Sequence, residues 1–267
     1  MARPMDAQDD IAIAEIIIYT FILIGALFLC KTHGFGRTAG WLYICILSLA
    51  RLIGSSMLLA TINDPSNTSL YVGWLTLNGL GLGPLILILL GLLSRCFDSI
   101  KRQGGRGVLP IYQRAIQLLM LAAIILISVG GANSDYELNG SSPSVKYNSE
   151  CKIGVILMIL VLVLVLGQFF LALRSQSYIA DGEHRLLIAV GASLPFVVVR
   201  LAYTCALILG GHKQDVWMYL GAGIIMEMMV AIICEAVGFT LCKAPKPTES
   251  QEMINIKDST EAYARDV

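Results

Sequence analysis

Gly191-Ala-Ser-Leu-Pro-Phe-Val-Val-Val-Arg-Leu-Ala-Tyr203 sets a proline and an arginine inside a run that is otherwise apolar from Leu186 to Leu209. A run of that length reads as a bilayer-spanning helix. An arginine near its middle costs about 2.5–3.5 kcal/mol on insertion scales, so a polar partner has to meet it. Ser193, Tyr203 and Thr204 fall on roughly the same helical face as Arg200, and that face is expected to look into the protein rather than at lipid. Where Arg200 finds its partner decides how the other spans are arranged around it.

The whole chain has the same character. Of 267 residues, 56% are hydrophobic and 14% charged, and the mean hydropathy is +0.73. A soluble domain carries about 25% charged residues. The apolar residues fall into blocks of helix length separated by polar stretches, so low complexity does not explain the missing charge. The formal net charge is zero, and nothing points to a nucleic-acid partner. The chain reads as all-α: a polytopic membrane protein built as a seven-transmembrane helix bundle over residues 11–242. An amino-terminal segment, 1–10, precedes it, and a flexible tail, 243–267, with Pro245, Pro247 and mixed charge follows.

Residues Met1 to Asp10 set Arg3 against Asp6, Asp9 and Asp10, which is not the basic start of a signal peptide, so the first span reads as retained. The seven spans are expected over about Ile11–Cys30, Trp41–Thr61, Tyr71–Ser94, Arg114–Ala132, Ile153–Leu173, Leu186–Leu209 and Val216–Cys242. An odd number puts the termini on opposite sides. One set of loops holds Lys31, Arg37, Arg95, Lys101, Arg102, Arg106, Arg174 and Arg185, whereas the other holds only Arg3, Lys146, Lys152 and Lys213. The positive-inside rule then places the N-terminus outside and the C-terminus in the cytoplasm. The N-x-[ST] sequons at Asn67 and Asn139 both fall on the expected outer side. Trp41, Tyr71, Trp74, Trp217 and Tyr219 sit at span ends, where aromatic belts are expected.

At about 1.5 Å per residue, Arg51 and Glu227 lie roughly 15 Å below the outer ends of their spans, Arg200 roughly 13 Å, Asn78 roughly 10 Å and Glu15 about 6 Å. A buried cluster of Arg51, Arg200 and Glu227 follows, completed by Asn78 and Glu15, because arginine cannot escape burial by losing its proton. Two readings stand side by side. One is an ion-pair network that fixes helix register; the other is a pocket for a small polar or anionic ligand, drawn by two arginines beside one deep glutamate. Pro84 and Pro195 remove backbone donors inside their spans and free the carbonyls of Leu80 and Gly191.

Other chemistries lack their residues. His33, His184 and His212 all fall in loops, on both sides of the membrane, so no intramembrane metal site is expected. No lysine lies within a span to carry a retinal Schiff base, and no HExxH, G-x-S-x-G or Walker A pattern is present. No cofactor is implied. Cys30, Cys96 and Cys242 lie at inner span ends, where palmitoylation is conceivable.

Three segments carry a resemblance: Ser48-Leu-Ala-Arg-Leu-Ile-Gly-Ser55 running on to Ala60-Thr-Ile-Asn-Asp-Pro65, Asn78-Gly-Leu-Gly-Leu-Gly-Pro-Leu85 running on to Gly91-Leu-Leu-Ser-Arg95, and Ser193-Leu-Pro-Phe-Val-Val-Val-Arg-Leu-Ala-Tyr203. Together they resemble a family of fungal seven-helix integral membrane proteins known as a domain of unknown function. The resemblance implies a filamentous-fungal source and supports the helix count; it brings no activity with it. The leading expectation is a receptor-like or small-molecule-binding protein, with the lipid bilayer as its surroundings and the loop Arg95–Arg106 as the place for a cytoplasmic protein partner. The rivals are an integral membrane enzyme of terpene-cyclase-like acid chemistry, using Glu227 or Glu15, and a small transporter. An enzyme requires an unpaired carboxyl group facing an apolar chamber, and a transporter requires polar residues leading in from both faces.

Overall fold

The computed structural model describes residues 3–33, 39–65, 67–104, 108–137, 144–179, 183–211 and 215–241. Arg37, Arg106, Asn139, His212, Lys213, Cys242 and the tail over 243–267 lie outside them. The architecture is all-α, with seven helices long and apolar enough to cross a membrane. In chain order these are α1 (Ala7–His33), α2 (Ala39–Ala60), the third span split into α3 (Thr68–Leu80) and α4 (Leu82–Arg102), α5 (Pro110–Ala132), α6 (Ser149–Arg174), α7 (His184–Ile208) and α8 (Val216–Thr240). The loop after α5 folds back as a short antiparallel hairpin, Asp135–Glu137 against Ser144–Lys146.

Helices facing lipid carry apolar side chains on both faces. Along α1, Ile13, Ile17, Phe21, Ile24 and Phe28 form an exposed stripe at helical spacing. Tyr19, Ile22, Ala26 and Leu29 face the core from the same helix. The third span is the axis of the bundle: 83% of its most apolar window is buried, and no other span exceeds 56%. Its inner half, α4, buries Leu82, Leu85, Ile86, Leu87, Ile88, Leu89, Leu90, Leu92 and Leu93. A helix apolar on every face is stable only when surrounded, and α4 is enclosed by α2, α5, α6, α7 and α8.

Several expectations change here. The third span is 35 residues long, Thr68–Arg102, about 52 Å at helical rise and longer than the ~30 Å hydrocarbon layer. The expected basic loop Arg95–Arg106 is therefore helical as far as Arg102. Arg95 is turned in and lies 3.7 Å from Glu183 at the start of α7, leaving Asp98, Lys101 and Arg102 exposed. Trp41, Trp74 and Tyr219 are buried rather than set in an aromatic belt, whereas Trp217 is exposed. Trp41 lies against Gly238, where an added Cβ would meet its ring at 2.7 Å. Cys30 and Cys96 are fully buried, which closes them to acylation in this packing.

The first helix starts at Ala7, one turn earlier than its apolar pattern indicates. Arg3 makes the reason plain. Its guanidinium reaches Asp6 at 2.9 Å and the fully buried Asp9 at 2.7 Å, and donates to the Thr61 hydroxyl at 3.3 Å. Its backbone N–H donates to the Ile62 carbonyl at 3.1 Å. The amino-terminal segment thus clamps the start of α1 to the end of α2.

Candidate functional site

That extra turn sets the depth of the polar layer. Measured from the helix ends as they stand, Glu15, Arg51, Asn78, Arg200 and Glu227 all lie about 12–17 Å inside the bundle. Glu15, Arg51, Arg200 and Glu227 are each no more than 3% exposed, and the five side chains meet.

Glu227 on α8 is gripped from two sides. Arg51 on α2 forms a bidentate pair with it, Nε donating to Oε1 at 2.7 Å and Nη2 to Oε2. Arg200 on α7 adds a longer bond, Nε to Oε2 at 3.3 Å. Arg51 Nη1 reaches Glu15 Oε1 on α1 at 3.4 Å, and the other Glu15 oxygen accepts from the Ser55 hydroxyl at 2.6 Å. Asn78 on α3 serves both arginines. Its side-chain carbonyl accepts from Arg51 Nη1 at 2.6 Å, and its backbone carbonyl accepts from Arg200 Nη2 at 3.1 Å.

The break in the third span makes this possible. Pro84 has no N–H to offer Leu80, so the helical ladder is interrupted there. The Gly81 N–H instead turns toward the Asn78 carbonyl at 3.4 Å. A Cβ at Gly81 would lie 2.7 Å from Glu227 Oε1 and 2.8 Å from Arg51 Nη2. Only a glycine lets the backbone pass this close to the ion pair. Ahead of Glu227, Tyr219–Ile225 winds as a π-helix, a wider coil that often marks functional positions. Pro195, in contrast, faces outward, away from this layer.

With Glu15 included, two guanidiniums face two carboxylates, and the surplus positive charge expected from the sequence disappears for the layer as a whole. Its distribution is uneven. Arg51 is served by both carboxylates, Arg200 only by Glu227 at the longer distance. Arg200 Nη1 also donates to the Thr204 hydroxyl at 3.0 Å, and its guanidinium carbon lies 5.6 Å from the centre of the Tyr203 ring. Three of its five N–H groups are then used.

Arg200 is also where the layer meets empty space. A pocket of about 50 Å³ reaches in from the amino-terminal face, between the inner end of α3 and the outer ends of α5, α6 and α7. Arg200, Asn78, Thr204 and Tyr203 line its polar end, and Leu75, Ile127, Leu207 and Ile208 its apolar walls. The hydroxyls of Tyr203 and Thr76, both lining residues, are buried with no partner among the described residues. Among the described residues, no carboxyl group lines it. Glu235, a turn from the inner end of α8, stands apart from the layer; one of its oxygens is buried without a partner beside Gly25. Below the layer, α4 fills the inner half with apolar side chains.

From the sequence, Arg51, Asn78, Arg200, Glu227 and Glu15 were all candidates. Gly81, Thr76 and the Tyr203 hydroxyl were not. The repeated glycines of Asn78-Gly-Leu-Gly-Leu-Gly-Pro84 are the signal that could have pointed to Gly81, since each glycine within a helix costs about 1 kcal/mol unless something must come close.

Fold and site together define a multi-pass membrane protein with seven candidate spans, a charge-balanced polar layer and a pocket entering from one face. The family is a particular one. Residues 5–244 match the family described as Domain of unknown function (DUF7702), and the chain belongs to it. No curated protein matches the chain.

Proposed function

We propose that this protein is a receptor-like, small-molecule-binding membrane protein that takes a small polar-headed ligand from outside. The observation that carries this reading is Arg200 at the pocket's polar end, with two N–H groups unspent among the described residues. The helix below supports the same reading: α4 buries an unbroken apolar stretch from Leu82 to Leu90 beneath the pocket, where a transporter requires polar residues. An acid-catalysing enzyme finds less support, since Glu227 is held by two guanidiniums and neither it nor Glu15 lines the pocket.

The orientation belongs to this proposal. The exposed Lys101 and Arg102 lie at the opposite face from Arg3 and Asn67, and the positive-inside rule makes theirs the cytoplasmic face. There the exposed end of α4 offers a place for a cytoplasmic protein partner. The resemblance of the arginine-bearing segments supports a filamentous-fungal source.

The test is retention of a ligand. The full chain, extracted in lipid nanodiscs, is expected to carry a small molecule detectable by mass spectrometry that Gly79→Trp loses. Gly79 lines the pocket, and its Cβ position lies 3.9 Å from Ile127. Identical sets of molecules from both proteins end this reading.

A further inference from the structure

The ionised groups form a row that alternates in sign across four spans: Glu15, Arg51, Glu227, Arg200. The two inner members each touch two opposite charges, and the two outer members touch one. Glu15 closes its end of the row on the Ser55 hydroxyl, away from the pocket. Arg200 leaves its end open, inside the pocket.

Among the described residues, what remains unpaired on the lining side chains at that end is able to donate: two guanidinium N–H groups, the Tyr203 hydroxyl and the Thr76 hydroxyl. A cation would meet the Arg200 guanidinium with no carboxylate among the described lining residues to offset it. An anion continues the alternation. Its nearest like charge, Glu227, lies one place further along and is already held by Arg51. Leu75, Ile127, Leu207 and Ile208 line the walls, and no second cation is among the described lining residues, which favours a single negative charge over a dianion such as phosphate.

We infer that the ligand is a small monocarboxylate with an apolar body, its carboxylate seated on Arg200 and Tyr203 and its body between Ile127, Leu207 and Ile208. This rests on the proposed pocket and names what the pocket selects.

Hexanoate, its uncharged isostere hexanamide, and hexylamine separate the possibilities. Each is titrated calorimetrically into the full chain in nanodiscs, with empty nanodiscs subtracted. Hexanoate is expected to bind at least tenfold tighter than hexanamide, and hexylamine not to bind. Arg200→Gln removes the binding but endangers the fold, so Tyr203→Phe is the cleaner variant. It deletes a hydroxyl that has no partner among the described residues, and is expected to leave thermal unfolding unchanged and to weaken hexanoate about tenfold. Hexanamide binding as tightly as hexanoate overturns the carboxylate class while leaving the pocket intact, as does unaltered hexanoate affinity in Tyr203→Phe. No hexanoate binding at millimolar concentration overturns the inference. Hexanoate binding undiminished by Gly79→Trp overturns the pocket with it.

Discussion

The third span joins two unlike helices end to end. Above Gly81, α3 carries Thr76, Asn78 and Gly79 into a layer of charges and an open pocket. Below it, α4 is a buried rod of leucine and isoleucine. Both halves belong to one span long and apolar enough to cross a membrane, yet they are held by different physics. In lipid, apolar contact gains little over contact with acyl chains, so α4 is held by shape and close packing. A charge has no such indifference, and the groups around α3 hold one another because nothing else in lipid would. The proposed binding thereby belongs to the upper half, and close apolar packing to the lower.

The largest effect expected from breaking this division is at Glu227. Replacing it by glutamine keeps the shape but leaves Arg51 with Glu15 alone and Arg200 with no carboxylate in contact among the described residues. Stranding buried charges in this way costs about 3–5 kcal/mol. Thermal unfolding in detergent is the measurement; a loss below ~1 kcal/mol would show that the layer carries water enough to screen the arginines.

Gly81→Ala tests the junction itself. The added methyl would sit within 3 Å of both partners of the ion pair, and overpacking a fixed site costs about 1–3 kcal/mol. Because the methyl pushes Arg51 and Glu227 rather than apolar chains, the loss should be much smaller when Gly81→Ala is combined with Glu227→Ala, which removes the carboxyl oxygens the methyl meets. Full additivity of the two changes would place the strain elsewhere.

In the lower half the expected loss is smaller. Leu89→Ala removes a fully buried side chain from α4, but the transfer contribution that dominates in water is nearly absent in lipid. What remains is the unfilled space, about 1–2 kcal/mol at the ~24 cal/mol per Å³ found for cavities. Ligand retention should be unchanged, and a change in it would couple the lower half to the upper.

Much of this division was legible in the sequence. The count of spans follows from block length, and the members of the polar layer follow from the cost of a charge in lipid, which singles out Arg51, Arg200 and Glu227 without any structure. The depth of Glu15 was not legible. It depends on where α1 begins, and that is set by Arg3 reaching Thr61 and Ile62 on another helix. The extension of α4 through the expected basic loop has a similar cause, since Arg95 finds Glu183 across the chain. Trp41, Trp74 and Tyr219 point inward although their positions suited an interfacial belt. With apolar residues on both faces of a span, periodicity does not distinguish the face turned to lipid from the face turned to protein.

The smallest effect expected on stability belongs to the rim, where the comparison acquires a direction. Asn67 is exposed just ahead of α3, on the face where the pocket opens. If that face is outside, a eukaryotic host attaches a glycan to Asn67, and Asn67→Gln lowers the apparent mass on a gel by one glycan. Unfolding should shift by no more than ~0.5 kcal/mol, as for most surface changes. At the other end of the third span, Lys101→Cys should resist a membrane-impermeant maleimide on intact cells and react once they are opened. Labelling of Lys101→Cys from outside, together with an unmodified Asn67, would turn the molecule over. The pocket would then draw its ligand from the cytoplasm, and the protein would bind a metabolite of the cell rather than a signal reaching it.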